Sequence, residues 1–260
     1  MLEKQVLIPL LLSFFAGLST VIGTFILFFS KEENKNLITF SLSFSAGVMI
    51  TVSLTDLFIS SEQTLTKYKG PINGILISVL FLFLGIFMAL LIDKFIPEKP
   101  ISSNNSYLTS NEKLYRVGFV SMIALMIHNF PEGIATFISG YQDTSLGISI
   151  AIAIALHNIP EGIAIAMPIY YSTKSKAKAF KYTLYSGLSE PLGALLAFLF
   201  LKPYINDVII AIVFSLVAGI MLYISFGELI PAARQYKKHK TYLVSIFIGI
   251  FTIILSHIYH

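Results

Sequence analysis

Cysteine is absent from the chain. That excludes disulfides and thiolate metal sites, so any metal here must be held by nitrogen and oxygen. Charge is scarce as well: Asp, Glu, Lys and Arg make up 12% of the 260 residues against 55% hydrophobic, and the mean hydropathy is +0.79. This balance excludes a soluble domain and points to a polytopic membrane protein. The net charge of +4 comes from lysines gathered between apolar runs rather than from one basic face, which argues against nucleic acid as a partner. The first apolar run is too long for a signal-peptide core and has no small-residue cleavage site, so it is read as retained.

What the chain does have is apolar length. Crossing a hydrocarbon core of roughly 30 Å takes about 20 helical residues. Eight runs qualify, at 6–29, 37–60, 72–95, 116–140, 145–171, 180–201, 207–233 and 241–258. They predict an all-α polytopic fold occupying 1–260 as one transmembrane domain embedded in the lipid bilayer. The stretch 97–113, rich in Ser, Asn, Pro and Glu, reads as a flexible loop without a core. Fourteen of the eighteen Lys and Arg residues fall after runs 1, 3, 5 and 7; the other side holds only Lys4, Lys67, Lys69 and Lys202. Because cytoplasmic loops retain positive charge, both termini are expected outside the cytoplasm.

The strongest signal is an eight-residue phrase used twice: His128-Asn-Phe-Pro-Glu132-Gly-Ile-Ala135 and His157-Asn-Ile-Pro-Glu161-Gly-Ile-Ala164. Residues four apart share a helical face, so each copy presents His beside Glu with Asn on the flank. Pro131 and Pro160 lack an N–H, which frees the carbonyls of Ile127 and Leu156 and predicts kinks beside the polar groups. A bland reading has a buried His and Glu merely satisfying each other. It fails on cost, because ionisable groups at membrane depth cost about 2.5 to 3.5 kcal/mol each, and two identical sets multiply that penalty. Imidazole with carboxylate suits a divalent first-row transition metal.

A second repeat pairs Ala46-Gly-Val-Met-Ile-Thr-Val-Ser53-Leu-Thr-Asp56 with Ala218-Gly-Ile-Met-Leu-Tyr-Ile-Ser225-Phe-Gly-Glu228. Segments 2 and 7 are expected to run in opposite directions, so similar sequences point opposite ways, as in inverted-repeat transporters. Segments 1–3 and 6–8 then flank central segments 4 and 5. Asp56 is placed toward the outer mouth and Glu228 toward the inner one, with a snorkelling carboxylate at a helix end as the alternative for each.

His128 and His157 each lie some twelve residues into their segments, near the midplane at about 1.5 Å per residue. Segment 6 adds Glu190, followed by proline and bracketed by glycines that allow close helix approach. Three glutamates, two histidines and two asparagines exceed the needs of one ion, which favours two adjacent sites bridged by glutamates and leaves one ion as the alternative. The imidazole-rich set suits zinc, iron, cobalt or manganese, and its oxygen-rich neighbour should hold an ion more loosely, as transit requires.

On the doubled His-Asn-x-Pro-Glu-Gly motif, the eight spans, Gly-Leu-Ser-Glu190 and the paired Ala-Gly-x-Met segments, the chain resembles the ZIP (Zrt/Irt-like) metal-ion transporters, most closely their bacterial ZupT-type branch, over essentially its whole length. The resemblance implies a first site of His128, Glu132, His157 and Glu161, and a second of Asn129, Asn158 and Glu190 with Glu132 and Glu161 bridging. It also implies uptake of divalent ions (Zn2+, with Fe2+, Mn2+, Co2+ and Cd2+) across the bacterial cell membrane into the cytoplasm, no resident cofactor, and a homodimer. Segments 1, 4, 5 and 6 would slide against 2, 3, 7 and 8. One departure is the loop 97–113, which has no histidine cluster.

Two other classes compete. An intramembrane metal-dependent hydrolase could use a metal pair to activate water, but it needs a general base that is not a ligand and leaves the inverted repeat unexplained. A proton-coupled carrier of another solute shares the buried glutamates without needing two midplane histidines.

Overall fold

The computed structural model describes residues 2–28, 34–95, 110–201 and 206–256, which are helical throughout apart from short turns, with no strand among the described residues. Eight helices follow in order. The first, α1, runs over Leu2–Ile22 and tightens into a 3-10 stretch, Gly23–Phe28; α2 spans Lys35–Lys69; α3 is Pro71–Phe95; α4 is Ser110–Gln142; α5 is Thr144–Thr173; α6 is Lys176–Leu196 extended by Ala197–Leu201; α7 spans Asp207–Arg234; α8 is His239–Ser256. Seven have the length and composition to cross a membrane, and α8 is apolar but shorter.

Local chemistry sets the boundaries. Asn34 caps α2 by accepting from the N–H groups of Asn36 and Leu37, each at 3.1 Å. Ser175 caps α6 through Lys178 N at 3.2 Å, and Asn206 caps α7 through Ile209 N at 3.0 Å. Each side-chain oxygen satisfies a first-turn donor that has no partner within the helix. Gly70, at φ 83°, turns the chain from α2 into α3, a conformation that needs glycine.

Two expectations need correction. The fourth helix starts at Ser110 rather than at 116, so 110–113 belong to its first turn and not to the loop; the expected flexibility of the remainder, 97–109, lies outside the described residues. The second helix runs on to Lys69, because Leu65 is fully buried and anchors an end whose polar composition hid it.

The helices form two bundles. One contains α1, α4, α5 and α6, the other α2, α3, α7 and α8, and they meet along α2 with α5 and α4 with α7. Glycines permit the close packing inside the second bundle. A Cβ on Gly47 of α2 would strike the backbone of Ile246 in α8, and one on Gly219 of α7 would strike the backbone of Leu82 in α3. These are matched positions of the Ala-Gly-x-Met repeat. So are two wide π-helical stretches, Val52–Leu57 in α2 and Ile224–Leu229 in α7. Within them Ser53 Oγ donates to Met49 O at 2.6 Å and Ser225 Oγ donates to Met221 O at 2.9 Å. The repeat seen in the letters therefore exists in the packing.

Candidate metal centre

The first bundle buries most of its polarity at one place. His128, Asn129, Asn158, Glu161 and Glu190 are fully buried, Glu132 is 2% exposed and His157 7%. The doubled motif puts them there: α4 and α5 pack side by side, and the i,i+4 spacing turns His and Glu of each helix onto the shared face. Both helices run unbroken through Pro131 and Pro160. The carbonyl of Pro160 accepts from Ser45 Oγ of α2 at 2.7 Å, a contact between the bundles.

Glu132 Oε1 lies 2.9 Å from His157 Nε2 and 3.2 Å from His128 Nε2. His128 Nε2 is also 3.1 Å from Glu161 Oε1. The two rings stand 6.4 Å apart, centroid to centroid. Ligand atoms of His128, Glu132 and His157 all lie within 4.8 Å of one another. Glu190 enters from α6, where its Oε2 accepts from Asn158 Nδ2 at 2.9 Å; the same amide donates to Ala16 O of α1 at 3.0 Å.

The donor set is suited to cations. His128 Nε2 has no proper hydrogen bond despite its two carboxylate neighbours, and Glu132 Oε2, Glu161 Oε1, Glu190 Oε1 and Asn158 Oδ1 are buried with none. The inner end of the Asn129 amide lies 2.8 Å from Leu125 O and 3.2 Å from Glu161 Oε2. With nitrogen there it donates to both. Buried acceptors without donors are expensive, and a divalent ion relieves several at once.

The ZIP zinc transporter family model matches residues 97–257. A zinc transporter ZupT of Streptococcus mutans is 44% identical over 259 residues, covering 98% of each chain. Those of Oceanobacillus iheyensis (44%, 90% of this chain and 91% of the relative) and Clostridium perfringens (42%, 97% and 96%) are similar. The chain belongs to the ZIP zinc transporter family. As a ZIP protein it is a transporter of divalent metal and not an enzyme, and the hydrolase reading falls.

Not every residue singled out in the sequence joins this centre in its recorded contacts. Asp56, half-buried in the wide turn of α2, accepts from Thr55 Oγ1 at 3.0 Å. Glu228 belongs to a separate cluster that the sequence reading missed. Arg116 of α4 meets Asp93 Oδ1 of α3 at 2.6 Å and Asp93 O at 2.8 Å, and it stands 3.8 Å from Glu228 Oε1 of α7. Tyr223 of α7 donates to Asp93 Oδ2 at 3.0 Å. Arg116 counts among the cations of the loop after segment 3 in the sequence, where nothing ties it to Asp93. In this ZIP chain the cluster joins the two bundles at the lysine-rich end.

Proposed function

We propose that the protein takes up divalent transition-metal ions, zinc foremost, across the cell membrane into the cytoplasm by alternating access. The observation that carries this reading is Glu132 Oε1 within reach of imidazoles from two helices, 2.9 and 3.2 Å away. A carboxylate shared by two imidazoles at full burial is a ready divalent-ion ligand. The first site would be His128, Glu132, His157 and Glu161. The second would be Asn129, Asn158 and Glu190, with Glu132 and Glu161 bridging. Relatives named as zinc transporters support zinc as cargo; the mixed N and O donors also suit iron, manganese, cobalt and cadmium.

The charge asymmetry of the loops supports termini outside the cytoplasm, with Asp56 near the entrance and Glu228 near the exit. Two bundles packed closely within themselves and meeting mainly along α2 with α5 and α4 with α7 support rigid-body sliding of one on the other. The test is initial-rate uptake of radioactive zinc into sealed vesicles holding the purified chain, with the other metals as competitors. Zinc accumulation above protein-free vesicles is expected. No accumulation, with protein present and folded, would refute the reading.

A further inference from the structure

Segments Ala16-Gly-Leu-Ser-Thr20-Val-Ile-Gly23 of α1 and Ser186-Gly-Leu-Ser-Glu190-Pro-Leu-Gly193 of α6 match in sequence, and their contacts match one for one. Gly17 and Gly187 press on each other's carbonyl oxygens. Ser19 Oγ donates to Ala16 O at 2.6 Å, and Ser189 Oγ donates to Ser186 O at 2.5 Å. The Asn158 amide sits 3.0 Å from Ala16 O, and the Asn129 amide sits 3.4 Å from Ser186 O. Gly162 of α5 lies against the carbonyl of Thr20, as Gly133 of α4 lies against that of Glu190. Gly23 abuts Ile159 O, and Gly193 abuts Phe130 O. A local two-fold therefore relates α1 with α5 to α6 with α4, and Thr20 stands where Glu190 stands.

Thr20 is fully buried and its hydroxyl has no hydrogen-bond partner. A helical threonine usually bonds the carbonyl four residues back. For Thr20 that carbonyl is Ala16 O, already taken by Ser19 and Asn158. The hydroxyl is left unused in a helix that faces the metal centre.

We propose that Thr20 Oγ1 is the sixth oxygen of the second metal site, completing with Asn129, Asn158, Glu132, Glu161 and Glu190 an oxygen-rich set for a hard divalent cation such as Mn2+. Six oxygens favour octahedral ions over zinc, which is content with four ligands including nitrogen. The inference rests on the proposed transport reading and deepens it. Thr20 offers a hydroxyl where Glu190 offers a carboxyl, so this side of the site coordinates a cation without trapping it.

The test uses the purified full-length chain with Mn2+ and Zn2+, measuring bound metal by equilibrium dialysis and uptake of each ion in vesicles. Thr20→Val keeps the shape and removes the hydroxyl; it should lower the Mn2+-to-Zn2+ uptake ratio about tenfold and weaken Mn2+ binding by a similar factor. Thr20→Ser should restore the ratio to within twofold of the parent. Thr20→Glu, which completes the two-fold symmetry, should retain more Mn2+ through dialysis and release it more slowly in uptake. A parental ratio in Thr20→Val, or loss of the ratio in Thr20→Ser equal to that in Thr20→Val, overturns the proposal. Zn2+ binding that survives in Thr20→Val shows the chain is folded. Failure of the parent chain itself to accumulate either metal would instead overturn the transport reading.

Discussion

Arg116 of α4 holds Asp93 of α3 at 2.6 Å, so an ion pair ties the bundle that carries the buried His and Glu cluster to the bundle that does not. Glu228 Oε1 of α7 lies 3.8 Å from the other terminal nitrogen of the same guanidinium. Both groups of the closer pair are about one-fifth exposed, so solvent weakens the attraction, and its location matters more than its strength. Arg116→Gln should loosen that end. With the chain free of native cysteine, a reporter cysteine at buried Leu114 is expected to react with a thiol reagent several-fold faster in the Arg116→Gln background. An unchanged rate would mean the pair does not restrain the bundles.

Glu132→Ala removes the oxygen that both imidazoles approach. Losing even a supporting partner of a metal ligand typically costs 10-fold to 100-fold, and a shared ligand should cost more. Zinc uptake is expected to fall by more than about 100-fold while the protein still inserts and elutes as a folded species. Substantial remaining uptake would contradict a central role for this carboxylate.

Glu190→Ala removes an acid from the oxygen-rich side only, leaving Asn158 with Ala16 O as its acceptor. Dialysis with excess metal should show one fewer ion bound, and uptake should continue with a changed preference among metals. Loss of all bound metal would merge the two proposed sites into one.

Gly133→Ala tests the close crossing of α4 and α6. A Cβ there would overlap the carbonyl oxygen of Glu190, backbone that has no room to yield. Overpacking usually costs about 1 to 3 kcal/mol, and this contact is with backbone, so the thermal midpoint in detergent should drop by several degrees or more. A midpoint equal to that of the parent would show that the helices can separate freely.

Asp56 and Glu228 should divide kinetically. Asp56→Asn, at the proposed entrance, is expected to raise the apparent KM for zinc with little change in maximal rate. Glu228→Gln, at the proposed exit, should depress the maximal rate more than the apparent affinity. Labelling of a cysteine placed at Lys176 fixes the direction: reaction from outside intact cells would exchange the two roles.

The clustering of the buried His and Glu residues was readable because they are written at fixed spacing within single helices. His128 and Glu132 must share a face wherever α4 lies, and the second copy repeats the statement on α5. Glu190 was readable as a carboxylate in an apolar run. Thr20 was not, although Gly-Leu-Ser precedes it as it precedes Glu190, because a search for ionisable groups finds only one member of a pair when the other is neutral. The ion pair of Arg116 with Asp93 escaped for a different reason. It joins residues 23 apart across a connection rich in polar residues, and no periodicity links two helix ends. The start of α4 was misplaced because Ser110, Asn111 and Glu112 have loop composition, though such residues also suit a helical first turn.

The wide turns of α2 and α7 also fix how the two ends of each helix are rotated about the helix axis. A π turn accommodates one residue beyond the α-helical count, so it advances the following face by about 100° relative to an uninterrupted helix. Removing a single residue from 52–57 would let α2 run straight, at the cost of swinging everything beyond the turn, Leu65 included, off the surface it now buries. Because 224–229 carries the same phase shift in α7, the two helices stay in rotational step only while both keep the extra residue.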